Sequence, residues 1–254
     1  MYHSLKNVFG YNLLAEGDEF GKIKDAYFDP QDWSVRYFVV DTGLILPGRK
    51  VLIPPSQLGT IDPDRKVIPT TLSVGEIKSS PALEEDRPIT REYETDLYSY
   101  YGWEPYWFPE GGMGGFPTST VVETPNVARD RMAEPASAVE ESYAGPGLEL
   151  LSVREVSDYK LHAVDGNLGE ADDFLFDDRD WKIRYLIADT GSWLLGRKIP
   201  INLKWVRGFD QIEGEVHVDL SKKSIEDSPE WNEQMAFDYQ YESDLETHYV
   251  RSRI

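Results

Sequence analysis

Two runs near the start of the chain read as strands. Residues 21–29 (GKIKDAYFD) and 33–40 (WSVRYFVV) are short, rich in aromatic and β-branched positions, and separated by Asp29-Pro30-Gln31-Asp32. Asp can bond its neighbouring backbone and Pro presets φ, so this connection has turn chemistry and the pattern predicts an antiparallel hairpin. Asp41-Thr42-Gly43 ends the second run, and Arg49 to Pro54 opens a third apolar stretch. Further short strands are expected near Ile61 and from Val67 to Leu72. After Thr90, a good N-cap, the spacing changes: Tyr93, Leu97 and Tyr101 fall at i, i+4 and i+8, one apolar stripe of a helix. From about Gly102 to Gly147 no period survives, and Gly111 to Gly115 with scattered prolines reads as a linker.

The same pattern then starts again, 148 residues on. Asp32-Trp33 and Arg36-Tyr37 return as Asp180-Trp181 and Arg184-Tyr185; Asp41-Thr42-Gly43 as Asp189-Thr190-Gly191; Gly48-Arg49-Lys50 as Gly196-Arg197-Lys198. The second strands include residues 199–201, Ile212 and residues 216–220, and Asp238 caps a helix carrying Tyr241, Leu245 and Tyr249. About a third of the paired positions are identical, against on the order of one in twenty for unrelated sequence. The expected organisation is residues 1–102 as one repeat with its terminal helix, 103–147 as a Pro/Gly-rich linker, and 148–254 as the second repeat, each repeat with its own core.

Charge and composition narrow the function. A net charge of −20 disfavours nucleic acid and anionic lipid, and favours a basic protein partner. No cysteine is present, which removes disulfides, thiolate metal sites and cysteine nucleophiles. No apolar run is long enough to span a membrane and the first residues lack a signal core, so a cytoplasmic protein, peripheral to a membrane complex at most, is expected.

The hairpin, the D-T-G connection, the G-R-K step and the I-P or P-I strand after it, repeated in order over residues 4–80 and 152–228, resemble the PRC-barrel family. The chain looks like a tandem PRC-barrel protein. That family includes the cytoplasmic domain of the photosynthetic reaction-centre H subunit and the C-terminal barrel of a 16S rRNA-processing factor. The resemblance implies a mainly β fold, two small antiparallel β-barrels in tandem, each followed by a short helix. It also implies an interaction or assembly module, and, by similarity to the H subunit, the alternative of a regulator docked on a membrane electron-transfer complex.

Two D-T-G motifs, one per repeat, also suggest a bilobal aspartic protease in which Asp41 and Asp189 share a proton. The later apolar-apolar-Gly segment of such lobes is missing, since Leu194-Leu195-Gly196 lies inside the same connection, and Gly-Arg-Lys sets cations beside each Asp. Asp41, Gly43, Gly48, Arg49, Asp189, Gly191, Gly196 and Arg197 are therefore read as repeat framework, with Arg49 and Arg197 expected to pair with a carboxylate. His3, His162, His217 and His248 lack ligand spacing, and the acidic run from Asp172 to Asp180 reads as a solvated turn. No residue is assigned to catalysis, a cofactor or a metal. Trp33 and Trp181 are expected to close the barrel ends. The aromatics Tyr98, Trp103, Tyr106, Trp107 and Phe108 are the candidate contact surface for a protein partner, and a homo-oligomer is left open.

Overall fold

A computed structural model describes residues 1–43, 48–83, 89–107, 150–191, 194, 196–229, 231–232 and 237–251. The chain forms two compact units, Met1–Pro88 together with Glu149–Ile254, and Ile89–Leu148. Phe108 and residues 108–147 of the expected linker lie outside the described residues.

The larger unit is built on two mixed sheets. In the first, the strand order is β5 (Lys50–Ile53), β4 (Val35–Asp41), β3 (Asp18–Phe28), β2 (Asn12–Ala15) and β6 (Val67–Pro69), with β7 (Leu151–Ser152) also on β3. In the second, the order is β11 (Lys198–Asn202), β10 (Lys182–Asp189), β9 (Gly166–Asp177), β8 (Lys160–Ala163), β13 (Glu215–Val218) and β12 (Val206–Asp210), with β1 (Tyr2–Ser4) on β9. The expected hairpin is β3–β4, with Ala26 opposite Phe38 and Tyr27 opposite Tyr37. The expectation of purely antiparallel strands is corrected: β2 pairs with β6, and β8 with β13, in parallel. Parallel neighbours need a long crossover, and each pair here has the long β-hairpin between its members. Ile212 is also not a strand residue. It stands 94 % exposed in the turn between β12 and β13.

Each repeat takes a strand from the other. β3 and β9 are long, 11 and 12 residues, and each has its hairpin partner along one edge and two further strands on the other. The first part of β3 takes β2 from its own repeat, while its end takes β7 from the other, Tyr27 opposite Ser152 and Phe28 opposite Leu151. The end of β9 likewise takes β1, with Tyr2 opposite Asp177 and Ser4 opposite Leu175. The expectation of two separate cores is thereby corrected. Phe28 meets Phe174 at 5.5 Å between ring centroids, and Phe38 meets Phe176 at 6.4 Å, so fully buried rings of both repeats share one interior.

Trp33 and Trp181 are half-buried at this joint. Each stacks on a Phe of its own repeat, Phe28 and Phe176, and meets a ring of the other, Phe209 and Phe38. Their backbones are also exchanged: Val35 N donates to Trp181 O at 2.9 Å and Ile183 N to Trp33 O at 2.8 Å. They seal the junction between repeats, where sequence placed them at the ends of separate barrels.

α6 (Tyr239–Arg251) begins as expected, with Tyr241 N bonded to the Asp238 carboxylate. Leu245 and Tyr249 of its stripe are buried, and Tyr249 OH donates to Pro200 O of β11. Glu242 on the same helix accepts from Tyr185 OH at 2.7 Å and from Tyr2 OH at 2.9 Å, which ties the helix to β10 and to the exchanged β1. Burial, reinforced by this carboxylate, holds both phenols above their ordinary range.

In the smaller unit, α3 (Arg91–Tyr101) is capped by Thr90, whose hydroxyl accepts from Tyr93 N, and is ended by Gly102 in the left-handed region. Leu97 is fully buried. Among the described residues no helix is long and apolar enough to cross a membrane.

Candidate functional site

The two D-T-G connections turn out to be matched turn clamps. Asp41 accepts from Gly43 N at 2.9 Å and Asp189 from Gly191 N at 2.8 Å, so each carboxylate caps the turn it precedes. Gly43 and Gly191 sit at φ +58° and +53°, which suits glycine. Thr42 and Thr190 bond the carbonyls of Arg49 and Arg197 through both backbone N–H and hydroxyl, joining the two sides of each connection. Gly48 and Gly196 take the same left-handed conformation just before those arginines.

Arg49 and Arg197 then reach across to backbone. Arg49 donates to Ser80 O, and Arg197 to Ser228 O and Glu226 O, both at 3.1 Å. The carboxylate expected from sequence is replaced by backbone carbonyls at the ends of α2 (Val74–Ser79) and α5 (Lys222–Glu226), because those are the acceptors the return of the chain puts there. Lys198 Nζ lies 2.8 Å from Asp189 and 2.9 Å from Asp172. It holds the Asp189 carboxyl below its ordinary range, with help from Gly191 N. Lys24 stands 3.9 Å from Asp41. A proton-sharing dyad needs two carboxylates that raise one another, whereas each of these lies beside its own lysine.

The residues that sequence reading missed are Asp25 and Asp173, a pair at the 148-residue offset. Both lie in β-bulges, at Lys24–Asp25 and Asp172–Asp173, and a bulge re-aims the side chains beside it. Asp173 is 6 % exposed. Its carboxylate accepts from Ser4 Oγ, from Lys6 N at 3.0 Å and from Phe174 N at 2.7 Å. Asp25 accepts from Ser152 Oγ at 2.6 Å, Arg154 N at 3.1 Å and Ala26 N at 2.8 Å. Ser4 and Ser152 are at the same time the N-caps of α1 (Leu5–Val8) and α4 (Val153–Val156), accepting from Asn7 N and Glu155 N. Each repeat thus lends a capped helical turn to a carboxylate of the other, buried at Asp173 and half-buried at Asp25.

Burial outweighs the donors in both cases. It raises the Asp25 carboxyl, and it pushes Asp173 up to about 6. The reading of residues 172–180 as a solvated acidic turn is corrected accordingly. Asp173 and Asp177 are buried, and Asp177 is held well below its ordinary range chiefly by Arg179. Its counterpart Asp29, also buried, accepts from Arg36 at 2.9 Å. Among the described residues no three His, Asp or Glu side chains are arranged to hold a metal ion.

The candidate contact aromatics are packed on one another. Tyr98 is buried, while Trp103, Tyr106 and Trp107 are half-buried. The Tyr98 ring meets Trp107 at 5.1 Å and Trp103 at 5.7 Å, and Trp103 stacks on Tyr101 at 4.0 Å. Beneath them, Glu94 is 2 % exposed, pairs with Arg91 at 2.8 Å and accepts from Tyr106 OH at 2.9 Å. The Arg91 guanidinium covers the Trp107 ring at 4.2 Å, a cation–π contact. The segment after α3 is therefore an ordered fold-back up to Trp107.

Comparison with known families finds a PRC-barrel domain at residues 3–76. No curated protein matches the chain.

Proposed function

We propose that this chain, with its PRC-barrel domain over residues 3–76, is a non-catalytic protein-interaction or assembly module made of two such barrels. The observation that carries the reading is the use made of the residues common to both repeats. Asp41, Thr42, Arg49 and their counterparts close turns, and Ser4, Asp25 and theirs join the repeats. Such a frame offers a rigid support and spends its polar groups on itself.

The net charge of −20 points to a partner with a cationic surface, met in the cytoplasm. The exposed parts of Trp103 and Trp107 are the proposed apolar anchors, since aromatic rings carry much of the energy of protein contacts.

Affinity isolation from the source cells at low salt tests this. A near-stoichiometric partner is expected. Raising salt from about 50 to about 500 mM should release it, because exposed charges are screened over shorter distances. Trp103→Ala with Trp107→Ala should lose it while the circular dichroism of the sheets is kept. Retention by the double variant overturns the contact assignment. Peptide hydrolysis that disappears in Asp41→Asn overturns the non-catalytic reading.

A further inference from the structure

We infer that the two halves of the larger unit, residues 1–88 and 149–254, are complete non-covalent partners, so that either can be supplied by a second copy of this chain. This does not depend on the proposed function.

The joint is reciprocal. β1 pairs with β9 and β7 with β3; Ser4 and Lys6 serve Asp173, and Ser152 and Arg154 serve Asp25; the Trp33 and Trp181 turns exchange backbone bonds. Each of these contacts has a counterpart running the other way, as at a two-fold interface between identical subunits; the bonds of Tyr2 to Glu242 and His3 to Asp178 are additions of one side only, since Leu150 and Leu151 stand at the matching places. None of these groups belongs to residues 89–148, which form a unit of their own. The intervening chain also links the two halves covalently. A tether raises the effective concentration of the halves for one another without adding a contact. Cutting it removes that concentration effect and leaves the interface intact. The same symmetry means that nothing in the joint distinguishes the half on the same chain from the same half on another molecule.

The test uses the full chain with a protease site inserted between Gly114 and Gly115, cut after folding. Size-exclusion chromatography at about 1 µM, a concentration that a specific interface commonly withstands, should give one species containing both fragments. Cut protein in unlabelled and ¹⁵N-labelled forms is then unfolded together in urea and diluted. Native mass spectrometry should find the two mixed pairings as abundant as the two uniform ones. In Asp25→Ala with Asp173→Ala, recovery of paired fragments should fall at least about tenfold, because each carboxylate accepts bonds from the other repeat and one of the two is fully buried. Fragments that elute apart, or that fail to pair after dilution from urea, overturn the inference. Equal recovery in the double variant removes the carboxylates from it.

Discussion

Replacing Gly169 with Ala should cost the protein about 4 kcal/mol of stability or more, at the extreme of what one methyl group does. At this position φ is +123°, and a Cβ would stand 2.0 Å from the carbonyl oxygen of Asp189 and 3.0 Å from Thr190 Cα. Both obstacles are backbone, and they belong to the D-T-G clamp, so relief means opening the end of the β9–β10 hairpin. Gly21, at the matching place in the first repeat, has φ +72° and a Cβ position 2.6 Å from Asp41 O. Gly21→Ala should follow at about 3 kcal/mol. Gly43 separates the two contributions. It shares the left-handed backbone but, among the described residues, has nothing within 4 Å of its Cβ position, so Gly43→Ala should cost only about 1 kcal/mol. Urea denaturation of the three variants measures this. A Gly169→Ala loss no larger than that of Gly43→Ala would mean that the strand end does not pass so close.

The second large effect belongs to Asp173. Asp173→Ala removes the acceptor for Ser4 Oγ, Lys6 N and Phe174 N in a buried place, and should cost about 2–4 kcal/mol at neutral pH. Its pH dependence has a definite sign. With the folded carboxyl raised to about 6 from an ordinary 3.8, the folded protein holds a proton that the unfolded chain has already released. The contribution of this group is therefore most favourable below about pH 4. It declines as pH rises towards 6 and is constant above. Relative to Asp173→Asn, the wild type should gain about 1 kcal/mol between pH 7 and pH 5. A wild type that instead loses ground to Asp173→Asn over that range would show that the three donors outweigh burial and keep the carboxylate ionised.

Much of the frame was legible in sequence because it rests on local chemistry. The Asp29 to Asp32 turn, the two D-T-G caps and the Thr90 and Asp238 helix caps each act within a few residues, and each formed as expected. The joint was not legible, because its serine–aspartate bonds span 127 and 169 residues and no local period encodes them. A signal was nevertheless there. An aspartate recurring inside an apolar strand, as Asp25 and Asp173 do, needs a buried partner, and a serine recurring at Ser4 and Ser152 could supply one. In sequence Asp172 and Asp173 look like part of a polar turn, because a β-bulge cannot be seen in the alternation it interrupts. For the aromatics after α3, sequence found the cluster but not the Glu94–Arg91 pair beneath it: their i,i+3 spacing makes them neighbours on the helix, but only the fold-back lays the rings and Tyr106 OH over them.

The central claim is that the two repeats exchange their first strands, and nuclear Overhauser contacts across those strands test it most directly. The account predicts contacts of Tyr2 with Asp177 and Ser4 with Leu175, and of Tyr27 with Ser152 and Phe28 with Leu151. Contacts of Tyr2 and Ser4 with Tyr27 and Phe28 of their own repeat, with Leu151 and Ser152 on Leu175 and Asp177, would contradict it: each repeat would then close on itself, and the joint described here would not exist.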